Sequence, residues 1–187
     1  MKFQIKNFPW FKQYLAFFNQ DKLHHAYLIS GKEGLGKEIF SNFVAKGILC
    51  MNKKFLENCA CRSCDLFTSE SHPDLHLVTA ADEKKQISIN QIRDLSEPIY
   101  ETGFLGPNKV FIINPAESMT LEAFDSSLKI LEEPPKNCYF LLISHNPKNI
   151  SSTILSRCLE INIKTPSHSL IKEWLTSQTE NHNELEL

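Results

Sequence analysis

Ile29-Ser30-Gly31-Lys32-Glu33-Gly34-Leu35-Gly36-Lys37-Glu38 is the stretch that decides the fold. The apolar run Ala26 to Ile29 leads into it, and an amphipathic pattern begins at Ile39. Strand, glycine-rich turn and helix in that order are the setting of a phosphate-binding loop, G-x-x-x-x-G-K-[S/T]. Gly31, Gly34 and Gly36 let the backbone turn tightly and aim its N–H groups at phosphate oxygens. Lys37 brings positive charge to the outer phosphates. The last position departs from the pattern: Glu38 stands where a Ser or Thr hydroxyl would hold Mg²⁺.

Working outward, Phe40, Phe43, Val44, Gly47 and Ile48 recur at helical steps and predict a helix ending near Cys50. Upstream, Phe8 to Phe18 is aromatic-rich with roughly helical spacing, and the adjacent His24 and His25 are expected on opposite sides of an extended chain. Downstream, Leu75, Leu77 and Val78 make a second strand, and Ile89, Ile92, Leu95 and Ile99 share a helical face that Pro98 kinks or ends. Lys109 to Ile113 is a continuous β-branched run, as in a parallel sheet covered on both faces. Leu121, Phe124, Leu128 and Leu131 give a helical stripe stopped by Glu132-Glu133-Pro134-Pro135. Tyr139 to Ser144 is a fourth strand, 150–157 a short helical segment, and Leu159 to Ile163 a fifth strand. After the break Thr165-Pro166-Ser167, Leu170, Ile171, Trp174 and Leu175 open a new amphipathic helix, and the tail after Ser177 is polar and loose. This alternation predicts a three-layer α/β domain over residues 1–164 with a parallel five-stranded sheet, followed by a helical segment over 165–187. Ligands in such sheets sit beyond the carboxyl ends of the strands. The glycine loop, Asn114, Ser144, His145 and Asn146 all fall there.

The 187 residues are 42% hydrophobic and 22% charged with a net charge of −2, so no global basic field points to nucleic acid. No apolar run reaches the roughly 20 residues a membrane helix needs, and the N-terminus lacks a secretion signal; the expected location is the cytoplasm, with no membrane partner. Six cysteines in that setting favour reduced thiols or metal over disulfides. Cys50, Cys59, Cys61 and Cys64 fall within fifteen residues, the pattern of a closed, structural four-thiolate zinc site in a module of about 50–64. His72 and His76 read as turn and strand residues, not ligands.

A hydrolysing phosphate-loop enzyme ends its third strand in a carboxylate that holds Mg²⁺. Here the strand runs into Asn114-Pro115-Ala116-Glu117, with a neutral amide at that place and Glu117 reading as a helix-entry residue. Two of the groups that position the metal are therefore missing, and weak or absent ATP binding is expected.

Four segments together resemble one family: Gly31 to Lys37, the cysteine cluster, Leu128-Lys129-Ile130-Leu131-Glu132-Glu133-Pro134-Pro135, and Thr153-Ile154-Leu155-Ser156-Arg157-Cys158. They look like the bacterial clamp-loader subunits of DNA polymerase III, over roughly residues 8 to 175. Within that family the delta-prime branch is the nearest match, because the gamma/tau motor branch keeps the Thr of the phosphate loop and an acidic third-strand motif. The resemblance implies an AAA+ fold with an inserted zinc module and the beginning of a helical lid, the chain stopping about one helix into it. It implies a role in DNA replication as a non-hydrolysing subunit, with Arg157 as an arginine finger projecting into the ATP site of a neighbouring gamma/tau subunit. The implied partners are gamma/tau and delta, with the sliding clamp and primer-template DNA reached through the assembled complex. Two other classes compete with it. One is an ATP-hydrolysing motor subunit in which Glu117 or Glu38 serves the metal; the other is a zinc-bearing nucleic-acid adaptor using Lys53, Lys54 and Arg62 near the cysteines.

Overall fold

Ala26 to Ile29 bury completely, and the strand they form, β1 (Ala26–Ser30), lies inside a parallel five-stranded sheet. The computed structural model describes residues 8–18, 22–53, 55, 56, 58–80 and 86–183, with side chains up to residue 176. Lys54 and the charged turn Asp82–Lys85 lie outside the described residues. The other strands are β2 (Leu75–Thr79), β3 (Lys109–Asn114), β4 (Cys138–Ser144) and β5 (Leu159–Asn162), and the sheet order is β2-β3-β4-β1-β5. β1 pairs in parallel with β4, Ser30 opposite Ser144, and with β5, Ser30 opposite Asn162.

Because successive strand residues point to opposite faces, each buried strand feeds two cores. Tyr27, Ile29, Val110, Ile112, Leu141, Ile143 and Ile161 pack on one face against α1 (Lys37–Leu49) and a 3₁₀ helix at Pro9–Phe17. Leu28, Phe111, Ile113, Phe140 and Leu142 pack on the other against α3 (Ile89–Arg93), α4 (Ser96–Tyr100), α5 (Leu121–Glu132) and α6 (Ser152–Leu155). The short α2 (Arg62–Thr68) carries the end of the cysteine module, and α7 (His168–Asn183) sets Leu170 and Trp174 against the first core. This is the three-layer parallel α/β arrangement expected.

Several elements differ from expectation for local reasons. The single helix expected over 89–99 is two helices. Ser88 opens α3 with a capping box, its side chain accepting from Gln91 N while Gln91 returns to Ser88 N. Pro98 is the third residue of α4, and its missing N–H and its ring act four residues back, at Asp94, where α3 ends. Leu121, the first residue of α5, is 73% exposed; the helix buries Ala123, Ser127 and Leu131 instead. The aromatic segment is 3₁₀, not α. His24 and His25 precede β1, so their rings lie side by side with centroids 4.3 Å apart instead of on opposite faces. The stretch after Ser177 continues α7 to Asn183.

Candidate functional site

The glycine loop leaves β1 and enters α1 as its sequence predicts. Gly31, Gly34 and Gly36 have φ of 148°, 80° and 77°. At Gly31 space matters as much as the angle: a Cβ there would lie 2.5 Å from the carbonyl oxygen of Ile163, so the residue also closes the loop against the end of β5. Lys37 does not reach outward. It is buried, and its Nζ donates to the carbonyls of Gly31 (2.8 Å) and Lys32 (2.7 Å). Burial pushes its pKa below the ordinary 10.5, against the carboxylates of Glu117, Glu33 and Glu38, which pull it up. Aromatic side chains cover the same loop: Trp10 Nε1 donates to Leu35 O at 3.3 Å, and the rings of Phe8 and Phe11 lie where a Cβ on Gly36 would touch them.

At the carboxyl end of β3 the two departures noted in the sequence meet. Asn114 Nδ2 donates to Glu38 Oε1 at 2.8 Å. Glu117 sits in a 3₁₀ turn, Ala116–Ser118, and its Oε1 accepts from the backbone N–H groups of His145 (2.8 Å) and Asn146 (3.0 Å), tying the end of β3 to the end of β4. Asn114 Oδ1, Glu117 Oε2, Ser144 Oγ and His145 Nδ1 are buried without a hydrogen-bond partner among the described residues. The residues expected at the carboxyl edge gather there, and Glu38 and Glu117 each have one carboxylate oxygen bonded within the chain.

The four cysteines converge. Their Sγ atoms lie within 4.8 Å of one another, with Cys50–Cys59 at 3.6 Å and Cys50–Cys61 at 3.9 Å. Four thiolates at a Zn–S distance of 2.3 Å in a tetrahedron stand about 3.8 Å apart, so this donor set fits a metal ion of that kind. Burial alone would raise Cys61, yet the N–H groups of Cys64 and Met51 and the neighbouring thiols hold it down to about 6. The N–H of Cys61 and the thiol of Cys50 lower Cys59, whereas burial raises Cys64. The module is fastened to the sheet domain at two further points. The ring of Phe55 lies directly over Gly47, where an added Cβ would come within 1.9 Å of it. Ser63 Oγ donates to Leu49 O (2.7 Å) and bonds His72 Nε2 (2.9 Å), while His72 Nδ1 accepts from Asp74 N (3.1 Å). The cluster of potential ligands among the described residues comprises the four cysteines and neither His72 nor His76.

Arg157 follows α6 on the face opposite α1, partly exposed. One terminal nitrogen donates to Thr153 O (2.6 Å) and to Ser156 Oγ (3.3 Å); the other forms an ion pair with Glu132 Oε1. The sequence marked Glu132 only as part of a segment. Nothing in its spacing from Arg157 announced the contact, which depends on α5 and α6 packing side by side.

A family model described as DNA polymerase III, delta subunit matches residues 9–167. The DNA polymerase III subunit delta' of Haemophilus influenzae is 34% identical, over 95% of this chain and 55% of that protein. The subunit delta' of Bacillus subtilis is 38% identical, over 85% of this chain and 48% of that protein. The chain thus spans about half the length of the curated relatives it matches. Among solved structures, a DNA polymerase III gamma subunit-related protein from Thermotoga maritima superposes with a TM-score of 0.56 at 23% identity, over 80% of this chain and 45% of that one. That likeness is one of fold.

Proposed function

The chain belongs to the DNA polymerase III delta-prime subunit family, and from that premise we propose that it is a non-hydrolysing clamp-loader subunit that lends Arg157 to the ATP site of a neighbouring gamma/tau motor subunit. The observation that carries the reading is the hydrogen bond between Asn114 and Glu38. In a hydrolysing site these two positions hold Mg²⁺ with a hydroxyl and a carboxylate; here they hold each other. Glu117, the other carboxylate at that edge, has one oxygen committed to two backbone amides, which counts against an ATP-hydrolysing alternative using it or Glu38 for the metal. Lys37, satisfied by loop carbonyls, makes the loop a closed turn that stabilises the junction of β1 and α1. Nucleotide would have to break those bonds to gain the lysine.

Arg157 supplies what the chain contributes to chemistry. Its guanidinium is permanently charged and planar, suited to charge spread over phosphoryl oxygens. Provided in trans to a transferring phosphoryl group, such a group is worth about 10³–10⁵ in rate. The same family reading makes gamma/tau and delta its assembly partners, with the sliding clamp and primer-template DNA met through the complex in the cytoplasm. Cys50, Cys59, Cys61 and Cys64 would hold zinc, which would supply a cross-link between the end of α1 and the start of α2. Ser63 and Phe55 dock that cross-linked module onto α1 and onto His72, ahead of β2.

The test is nucleotide binding and turnover by the purified full-length subunit. The reading expects ATP turnover no higher than background with Mg²⁺, and nucleotide affinity that does not increase when Mg²⁺ is added. Robust Mg²⁺-dependent hydrolysis that co-purifies with the subunit and is lost in Lys37→Ala would overturn it.

A further inference from the structure

We propose that Glu132 is a positioning residue for Arg157, holding the guanidinium ready for a phosphate on a neighbouring subunit. The proposal rests on the finger reading of Arg157. Guanidinium has five N–H donors in a fixed fork. Three are used inside the chain: one terminal nitrogen gives two, to Thr153 O and Ser156 Oγ, and the other gives one to Glu132 Oε1. Nε–H and one terminal N–H then have no partner among the described residues, which is enough for a two-point grip on phosphoryl oxygens. Arg157 is therefore oriented from two sides and keeps the donors it needs.

Both sides of this cradle are set by rigid core. Glu132 is the last residue of α5, directly after Leu131, which is buried in the second core and whose carbonyl bonds His25 Nε2 at 3.1 Å. The helix stops there because Glu133 leaves helical geometry ahead of Pro134. Thr153 and Ser156 flank Ile154, which is fully buried. The two segments, twenty-five residues apart, meet only through the packing of α5 on α6. An exposed pair of this kind adds little to stability. Its consequence is geometric: without Glu132 the long arginine side chain is held only by its own helix and samples other rotamers, and a misplacement of about 1 Å can cost on the order of a hundredfold in rate.

The experiment measures the ATPase of the assembled clamp-loader complex containing the full-length subunit as wild type, Glu132→Ala, Glu132→Gln, Arg157→Ala and the Glu132→Ala/Arg157→Ala double variant. Glu132→Ala is expected to lower kcat by about ten- to a hundredfold with KM for ATP little changed. Glu132→Gln keeps the Oε1 acceptor and is expected to stay within about threefold of wild type, a neutral bond replacing a charged one. The double variant should be no worse than Arg157→Ala, because both changes remove one function. Unfolding temperatures of the free variants, expected to match wild type, separate this from misfolding. Full activity of Glu132→Ala in a complex that Arg157→Ala cripples overturns the proposal, as do effects of the two changes that multiply. Full activity of Arg157→Ala would instead overturn the finger reading on which the proposal depends.

Discussion

Removing metal from the cysteine module should destabilise the whole domain, not the module alone. The size follows from the structure. A metal held by Cys50 and Cys64 closes a loop of fifteen residues, and a cross-link over such a loop is worth about 3 kcal/mol in unfolded-chain entropy. That free energy reaches the core because the module is not a free appendage: Cys50 directly follows α1, Phe55 rests on Gly47, and Ser63 bonds the carbonyl of Leu49 and the ring of His72. For a protein of this size about 3 kcal/mol corresponds to a fall in Tm of roughly 6–12 °C. The assay is thermal unfolding followed by circular dichroism on metal-loaded and chelator-treated protein, with zinc quantified in both. One zinc per chain before treatment, and a single transition shifted down by that amount after it, is the expected result. Zinc-free purified protein, or a chelated protein with an unchanged Tm, would refute the reasoning.

Two further outcomes test the loop and the module's anchor. Lys37→Ala should destabilise the fold by roughly 1–2 kcal/mol in urea unfolding, because it removes two part-buried hydrogen bonds from the buried lysine to the carbonyls of Gly31 and Lys32; a change below about 0.5 kcal/mol, the scale of an ordinary surface substitution, would mean the lysine is not structural. Burial holds the His72 pKa below the ordinary 6.5 despite the opposing pull of Asp74. The folded state therefore binds fewer protons than the unfolded one just below pH 6.5, and stability should be full above that pH and fall as pH drops through the window beneath it. Urea midpoints measured from pH 7.5 to 5.5 should show this decline, and His72→Gln should reduce its slope, the remainder coming from His25 and His76, which burial also lowers; midpoints that rise on acidification would contradict the sign.

Much of this fold is written plainly in the sequence. Runs such as Val110 to Ile113 and Tyr139 to Ile143 are apolar at every position, which suits strands buried on both faces, and Glu132-Glu133-Pro134-Pro135 marks the end of α5 to the residue. The order β2-β3-β4-β1-β5 is not written there, since β1 reaches β4 across more than a hundred residues; only the alternation Leu159-Glu160-Ile161-Asn162 sets β5 apart from the buried strands, as suits the edge it occupies. Hydrophobic periodicity found most of the inward face of α5, since Phe124, Leu128 and Leu131 pack on the second core, but it counted the exposed Leu121 and passed over the small buried Ala123 and Ser127. It also gave no reason to bury Lys109, which donates to the carbonyls of Pro98, Ile99 and Glu101 and so closes the end of α4. At the candidate site the glycines, the cysteines, Glu38 and Asn114 were legible because residue type alone states their chemistry. Glu117 does enter a short helix, the 3₁₀ turn Ala116–Ser118, but its tie to the end of β4 was not legible, and Glu132 was invisible as a partner, because both bonds are side-chain contacts across elements.

On the proposed reading, Arg157 makes its catalytic contribution to another subunit's ATP. The most direct measurement is the ATPase rate of gamma/tau motor subunits, assembled with delta and DNA, with the full-length subunit present as wild type or as Arg157→Ala. Wild type is expected to raise the rate, and Arg157→Ala to lose most of that increase while still assembling. A rate unchanged by Arg157→Ala in a complex of normal composition would contradict that reading.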